Sequence, residues 1–225
     1  MSEPIRILYT DPPWWYSNRK TGGERKKPLV QVPGKDPKFG GGARKHYPLM
    51  RDRDLLALAP LVQGVMEDDS ACLMWGTMPR LDFGIELLGA WGFRYVTAAF
   101  VWIKSTNDFT RPRYGPGTYT ASNAEVVLLG VRGSMGPVKK MTGSVILTPR
   151  FEHSVKPSLH RVIDKMYPTG RRVEMFARRP HQRRFAEQPW EAIGNGVSGL
   201  DIKDELATMA TEINGGRQLQ LGGLR

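Results

Sequence analysis

Short β-favouring runs alternate with stretches of helical apolar periodicity along most of the chain, and this alternation constrains the fold more than any other feature. Strands that alternate with helices predict an α/β fold, in which a mostly parallel sheet carries helices on both faces. The apolar patterns place strands at 5–10, 70–75, 95–103, 124–131, 145–147 and 172–177, and helices at 52–65, 79–91, 157–167 and 201–213.

The length and composition predict one hydrophobic core rather than two. A chain of 225 residues, 40% of them hydrophobic, suffices for one core. We expect a single domain over 1–196, followed by a C-terminal helix and tail over 197–225 that frays from Gly215 onward. No apolar run reaches the roughly 20 residues needed to span a bilayer, and the first residues lack a signal-peptide core. A cytoplasmic protein without membrane contacts is therefore expected.

Cysteine and histidine usage argues against a metal site. Cys72 is the only cysteine, which excludes an intrachain disulfide and a zinc site built from cysteines. The four histidines show no metal-ligand spacing, so no metal is predicted. His153 precedes the predicted helix at 157–167 and His160 lies in its first turn; both are left unassigned, since a histidine at a helix is most often structural.

A surplus of basic side chains predicts a polyanionic partner. The chain has 33 Lys and Arg against 22 Asp and Glu, a net charge of +11, which favours nucleic acid through long-range attraction and counterion release. The alternative is a basic protein without such a partner. Basic residues concentrate in a Gly- and Pro-rich loop at 17–47, and they mix with aromatic residues at 104–119. Cations and aromatic rings together suit a nucleic-acid strand whose bases are unstacked. The expected substrate contacts are Trp14, Tyr16, Lys26, Lys27, Arg44, Lys45, Arg111, Arg113 and Tyr114.

The motif Asp11-Pro12-Pro13-Trp14 directly follows the first predicted strand. Loops at the carboxyl ends of parallel strands line the ligand crevice of open α/β sheets. The Asp11 carboxylate and a free Pro12 carbonyl would accept two N–H bonds from a delocalised amine such as the 6-amino group of adenine, and so make its lone pair available. The flat face of Trp14 or Tyr16 would stack on the extruded base. The alternative is a turn whose prolines and aromatic residues close the end of the core.

These residues, with the blocks that follow them, resemble the MT-A70 family of adenine-N6 methyltransferases. The resemblance covers residues 5 to about 196, in the family's order. Its blocks are DPPW at 11–14, HYPLM at 46–50, ACLMWGT at 71–77, WGFRYVTAAFVWIK at 91–104, AEVVLLGVRG at 124–133, HSVKP at 153–157, RRVEMFARR at 171–179 and IGN at 193–195.

The resemblance implies a permuted Rossmann-like methyltransferase, in which the catalytic strand comes first and the cofactor strand lies near the C-terminus. It implies S-adenosylmethionine as the methyl donor and adenine in nucleic acid as the substrate. A compact chain of bacterial or phage type favours DNA over RNA, with a short recognition sequence or none. The same chemistry on RNA, and a catalytically silent nucleic-acid-binding subunit, are the alternatives. A homodimer is compatible with each.

The resemblance also assigns site residues. The catalytic set is Asp11, Pro12, Pro13 and Trp14, and the residues expected to contact the cofactor are Asp11, Lys156, Glu174, Arg178, His181 and Asn195. Glu174 would bind the ribose hydroxyls. Arg179 competes with Arg178 for its assignment, and both arginines, like His181, could instead form a solvated basic face.

At two positions the sequence departs from the family pattern, and each departure puts one expected contact in doubt. Gly196 stands where relatives often carry Gln or Glu, which removes one expected cofactor contact. Ala121 stands in place of the usual arginine of the segment at 115–125, whereas Glu125 matches the family's acidic residue.

Overall fold

A computed structural model describes residues 2–15, 49–115, 119–136, 142–149, 156–179 and 188–222, with side chains up to residue 215. In these ranges, seven strands form one sheet in the order β5-β3-β4-β2-β1-β6-β7. The strands are β1 (Ile5–Thr10), β2 (Met66–Thr77), β3 (Arg94–Ser105), β4 (Ala124–Arg132), β5 (Val145–Pro149), β6 (Arg171–Met175) and β7 (Glu191–Ile193).

The sheet is mostly parallel, as the sequence predicted. β1 pairs in parallel with β2 on one side and with β6 on the other, β6 pairs in parallel with β7, and β3 pairs in parallel with β5. β4 is the exception, because it runs antiparallel to both β2 and β3. The predicted Rossmann-like α/β class is thus confirmed, and β1 lies near the centre of the sheet.

The helices are α1 (Asp52–Leu56), α2 (Ala59–Val65), α3 (Leu81–Ala90), α4 (His160–Met166), α5 (Asn195–Ser198) and α6 (Ile202–Gly222). The single helix predicted over 52–65 is wrong. Pro60 lacks the N–H that would bond to the carbonyl of Leu56, and its ring would clash there, so the chain forms two short helices instead.

Apolar side chains cover both faces of the sheet. Alternate residues of β2 divide between the faces: Cys72 and Met74 join one buried cluster, and Leu73 and Trp75 join the other. α2, α3 and α6 contribute to the first cluster, whereas Ile163 of α4 lies in the second. The prediction of helices on both faces is confirmed.

The C-terminal helix belongs to the main core. Four apolar residues recur at helical spacing and are buried in the cluster that also contains residues of β1 and α2; they are Ile202, Leu206, Met209 and Ile213. The helix runs to Gly222 and so extends beyond the end at residue 213 that the sequence predicted. The sequence also missed β7 and α5, which are three and four residues long. No helix within the described ranges is long and apolar enough to cross a membrane.

The carboxyl ends of β1, β2, β3, β6 and β7 lie side by side along one end of the sheet, which is called the carboxyl edge below. β4 starts at the same edge because it is antiparallel, so Glu125 lies opposite Thr77 at the end of β2 and Trp102 near the end of β3. This edge is where open α/β sheets bind their ligands.

Candidate active site

Asp11 is the first residue after β1, and its carboxylate meets a lysine at the carboxyl edge. Regular pairing of β1 ends at Thr10, and Pro12 and Pro13 follow Asp11 directly. Lys156 lies just before α4, and its Nζ is 3.4 Å from Asp11 Oδ1. The Asp11 side chain keeps 34% of its surface exposed, against 16% for Lys156. The structure thus brings together two predicted site residues that are far apart in the sequence.

Lys156 is shared between two carboxylates. Its Nζ also contacts Glu125 Oε2, and the other oxygen of Glu125 accepts a hydrogen bond from Lys104. Both ammonium groups lie over indole rings: Lys156 Nζ is 4.8 Å from the centroid of Trp75, and Lys104 Nζ is 4.9 Å from that of Trp102. The opposite charges attract one another, and each indole face adds a cation–π attraction to its ammonium group.

The surroundings move the pKa of Asp11 upward. Burial among protein atoms is the largest cause, Glu125 acts in the same direction, and Lys156 and Arg178 offset part of the shift. Burial also raises the pKa of Glu125, but Lys156 and Lys104 outweigh it and lower that pKa overall. Asp11 is therefore the more basic carboxylate of the pair, and Glu125 the more firmly ionised one.

Two expectations about the motif after Asp11 are corrected. The Pro12 carbonyl is not free, because it accepts a hydrogen bond from the Trp14 N–H at 2.9 Å, which leaves it one lone pair. Trp14 is only 4% exposed and packs edge-on against Phe83 at 5.9 Å. Its face cannot receive a base in this arrangement, since the ring is part of the core. The indole Nε1 has no hydrogen-bond partner among the described residues.

Glu174 lies on β6, directly beside Tyr9 of β1 in the parallel register. Its Oε2 is 2.9 Å from Nε2 of His160, the first residue of α4, and the other ring nitrogen of His160 is 3.0 Å from Ser158 Oγ. The Glu174 side chain is 27% exposed. A partly exposed carboxylate at a strand end can accept hydrogen bonds from hydroxyl groups.

The chain turns sharply after β6, and this turn carries two further candidates. Phe176 has a φ of 64°, a left-handed conformation that is uncommon for a non-glycine residue. Arg178 follows it and is exposed, yet close enough to lower the pKa of Asp11. Asn195, after β7, is exposed and donates to the Gly199 carbonyl at 3.3 Å.

Gly196 lies against this turn. A Cβ at position 196 would come within 2.7 Å of the Arg178 carbonyl oxygen. The glycine that departs from the family pattern is therefore needed here for the close approach of the segments that follow β6 and β7.

The loop after β3 exposes the aromatic and basic residues that the sequence predicted to contact substrate. Arg111 and Arg113 are exposed, and Tyr114 is 65% exposed. The backbone N–H of Arg113 donates to the Lys104 carbonyl at 2.7 Å, which ties the loop to the end of β3. Phe109, 53% exposed, stands at the tip of the preceding turn with a φ of 60°.

Other predicted residues lie outside the described ranges: Tyr16, Lys26, Lys27, Arg44, Lys45 and His181, together with the basic loop at 17–47. Within the described ranges, no group of three or more His, Cys, Asp or Glu side chains could hold a metal ion.

Sequence reasoning missed the roles of Lys104 and His160. The sequence placed Lys104 at the start of the basic and aromatic segment at 104–119 without naming a partner, and it left His160 unassigned because a histidine at a helix is most often structural. Neither residue carries a local sequence signal, since both acquire their partners through strand order. Glu125 carried a signal in the resemblance alone.

The open α/β sheet, with two carboxylates and two lysines at the carboxyl edge beside β1, defines the class of Rossmann-like α/β proteins that bind a ligand at this edge. Residues 6–196 match the MT-A70 family, and the chain belongs to this family of methyltransferases.

Several relatives are known. The chain is 32% identical over 178 residues to the type II methyltransferase M.MunI of Mycoplasma sp, an alignment that covers 77% of this chain and 72% of the relative. It is 30% identical over 144 residues to the N(6)-adenosine-methyltransferase catalytic subunit METTL3 of Homo sapiens, covering 62% of this chain and 24% of that protein. The N(6)-adenosine-methyltransferase MT-A70-like of Arabidopsis thaliana is 27% identical over 143 residues. That alignment covers 62% of this chain and 20% of the Arabidopsis protein.

Proposed function

We propose that this chain transfers a methyl group from S-adenosylmethionine to the exocyclic 6-amino group of adenine in DNA, with a short sequence preference or none. The observation that carries the proposal is the Asp11 carboxylate, which follows a central strand and lies 3.4 Å from Lys156 in a chain of the MT-A70 family. An acceptor with a raised pKa at this edge suits the activation of a weakly basic amine.

Asp11 and Pro12 would act directly on the amino group. The Asp11 carboxylate accepts one N–H bond, and the remaining lone pair of the Pro12 carbonyl accepts the other, so the nitrogen lone pair leaves conjugation with the ring. As the N6–carbon bond forms, the amino group must lose a proton. Asp11 is placed to accept it, because its raised pKa makes it more basic than a free aspartate.

The donor set at the ends of β6 and β7 fits the cofactor. Glu174 offers a partly exposed carboxylate for a ribose diol, and Arg178 and Asn195 are exposed on the segments that follow the two strands. Lys156 would contribute from the side of Asp11. When bound, S-adenosylmethionine supplies the electrophilic methyl group, and the task of the protein is to hold nucleophile and methyl group in line.

The basic and aromatic loop after β3 supports a nucleic-acid substrate. Exposed Arg111 and Arg113 suit phosphate, which positions a strand without reading its sequence. With Trp14 buried, the exposed rings of Phe109, Tyr114 and Tyr119 are among the described surfaces on which an unstacked base could rest. DNA is preferred because the relative matched over most of both chains is a type II methyltransferase.

Nucleoside analysis by mass spectrometry tests the proposal. The protein and S-adenosylmethionine are incubated with duplex DNA, single-stranded DNA and RNA of the same sequence, and each product is digested to nucleosides. We expect N6-methyl-2′-deoxyadenosine from a DNA substrate. N6-methyladenosine from RNA alone would instead favour the second candidate, the same reaction on RNA, which the similarity to N(6)-adenosine-methyltransferases supports.

A catalytically silent nucleic-acid-binding subunit would give no methylated nucleoside from any substrate. Calorimetric titration with S-adenosylmethionine separates this case from a missing recognition sequence. Absence of cofactor binding, together with retained nucleic-acid binding, would overturn the proposed enzymatic function. The intact acidic and basic residues at the carboxyl edge argue against this outcome.

A further inference from the structure

His160 is a buried imidazole whose two nitrogens both have polar partners next to the proposed cofactor residues. Its side chain is 8% exposed, with Nε2 at 2.9 Å from Glu174 Oε2 and Nδ1 at 3.0 Å from Ser158 Oγ. A neutral ring satisfies both contacts when Nε2–H donates to the carboxylate and Nδ1 accepts from the serine hydroxyl. The bond from Nε2 fixes one oxygen of Glu174.

Aromatic rings hold the His160 ring in place. Its centroid is 4.7 Å from Trp190 and 5.2 Å from Tyr9, both in edge-on geometry. Such contacts stop the imidazole from rotating away from Glu174. Tyr9 is also the β1 residue that pairs in register with Glu174. The pairing of β1 with β6 therefore places the Tyr9 ring, which contacts His160, beside the Glu174 carboxylate.

A buried ion pair anchors the Trp190 ring. Trp190 Nε1 donates to Asp164 Oδ1 at 3.0 Å, and the same oxygen is 3.1 Å from Arg172 Nε. Asp164 and Arg172 are 3% and 4% exposed. Breaking this buried ion pair would leave an uncompensated charge, which is costly. Asp164 therefore stays in place and holds the Trp190 ring.

Glu174 thus has one oxygen held from the protein side while part of the side chain faces solvent. A carboxylate offers about four lone-pair sites, and His160 uses one of them. Because His160 holds the carboxylate in one orientation, the remaining lone-pair sites can accept hydrogen bonds from two neighbouring hydroxyls. The Glu174 side chain then loses little rotamer freedom when the ligand binds.

We propose that His160 is a positioning residue, which orients the Glu174 carboxylate for the vicinal diol of the cofactor ribose through its Nε2–H bond. This inference rests on the proposed function, in which Glu174 binds that ribose. His160 itself does not touch the ligand.

Binding of two ligands that differ by one hydroxyl tests the inference. S-adenosylhomocysteine and its 2′-deoxyribose analogue are titrated by calorimetry into the full chain and its variants. The wild-type protein is expected to prefer the ribose ligand by about tenfold or more, since a carboxylate built to accept a hydroxyl loses a bond with the deoxy analogue. His160→Phe should weaken binding of the ribose ligand about tenfold and binding of the deoxy analogue less, because the analogue has one hydroxyl fewer to bond to the carboxylate that loses its fixed orientation.

Three further variants keep the result interpretable. His160→Gln retains a donor near the position of Nε2 and should restore most of the preference, which a purely structural role would not require. Ile163→Val trims a fully buried side chain of the same helix and should lower the melting temperature without changing the preference. Ser158→Ala removes the partner of Nδ1 and should reduce the preference slightly.

The outcomes separate this inference from the proposed function. If Glu174→Gln leaves the preference unchanged, the assignment of Glu174 to the ribose fails, and the inference fails with it. If Glu174→Gln abolishes the preference while His160→Phe and His160→Gln both keep it, the proposed function stands and the positioning role is overturned. Should His160→Phe not fold, His160→Leu takes its place, and a preference in that variant equal to that of the wild-type protein would overturn the role.

Discussion

At the scale of single residues, the chemistry depends on how one ammonium group is divided between two carboxylates. Lys156 contacts both Asp11 and Glu125, and Lys104 adds a second cation on the Glu125 side alone. The positive charge is therefore weighted toward Glu125. Asp11 keeps a raised pKa, which favours a role in accepting hydrogen bonds and protons.

Asp11→Asn is expected to abolish methylation without unfolding the protein. Folding raises the pKa of Asp11, so this shift stabilises the folded chain only at acid pH, and the stabilisation is lost as the pH rises through the folded pKa. At pH 7 the substitution should leave the melting temperature unchanged or slightly higher. Product formation and thermal denaturation measure the two effects, and a large loss of stability would contradict the assigned environment of Asp11.

Glu125→Gln should move the acid limb of the kcat profile to lower pH. The Glu125 charge raises the pKa of Asp11, and its removal also ends the competition of Glu125 with Asp11 for Lys156. In the wild-type protein we expect activity to fall at a pH above the value of about 3.9 for a free aspartate. Glu86→Gln, an exposed change of the same charge on α3, is the control and should not move the limb.

At the scale of elements, the turns after β3 and β6 place functional groups by holding a phenylalanine in the left-handed region. The turn at Phe109 is braced by Asp108 Oδ1, which contacts Thr106 Oγ1 and accepts from the Thr110 N–H. A non-glycine residue at positive φ carries strain that the surrounding structure must offset. A braced and strained turn with an exposed ring at its tip suits a contact surface better than a passive linker.

Phe109→Gly should weaken nucleic-acid binding by about 1–3 kcal/mol, because one stacking surface is lost. The fold should not lose stability, since glycine relieves the positive φ. Fluorescence anisotropy with a labelled single strand measures binding. Phe109→Tyr keeps a ring and should bind like the wild-type protein; an equal loss in both variants would show that the ring does not stack.

Gly196→Ala should impair both stability and cofactor binding. The added Cβ would lie 2.7 Å from the Arg178 carbonyl oxygen, so the segments that follow β6 and β7 must separate. Gly89→Ala on α3 is the matched control, because no atom lies within 4 Å of the added Cβ, and it should be neutral or stabilising by about 0.4–1 kcal/mol. Melting temperature and cofactor titration report both effects, and a neutral Gly196→Ala would refute the tight contact.

At the scale of the whole molecule, charge and topology act together. The net charge of +11 draws a polyanion toward the protein from a distance. The parallel sheet places strand ends from distant parts of the chain on one edge, where the exposed loop after β3 meets the acidic and basic cluster around Asp11. Substitutions of surface cations should therefore change nucleic-acid binding without changing the reaction at Asp11.

The double substitution Arg111→Gln with Arg113→Gln should weaken nucleic-acid binding similarly on every sequence. It should also reduce the slope of log K against log salt concentration by about 1 for each arginine that contacts phosphate. Cofactor affinity should stay unchanged, because both side chains are exposed on the loop after β3. Titrations at several salt concentrations measure the slope, and an unchanged slope would remove these arginines from the substrate surface.

Local sequence patterns determined most of the elements and the position of the acid. Alternating apolar runs predicted six of the strands within the described ranges, and the prolines after Asp11 marked the end of the first one. Such patterns are local, because backbone sterics and apolar periodicity act over a few residues. They failed at Pro60, where one helix became two, and at β7, which is too short to show a period.

Only the tertiary structure decided which side chains meet. Lys156 reaches Asp11 and Glu125, and His160 reaches Glu174, because the order of parallel strands brings remote strand ends to one edge. The burial of Trp14 and the occupied carbonyl of Pro12 likewise follow from packing and turn geometry. A sequence records which residues end each strand, but strand order depends on the packing of the whole core, and the pKa of Asp11 is set by neighbours that this order supplies.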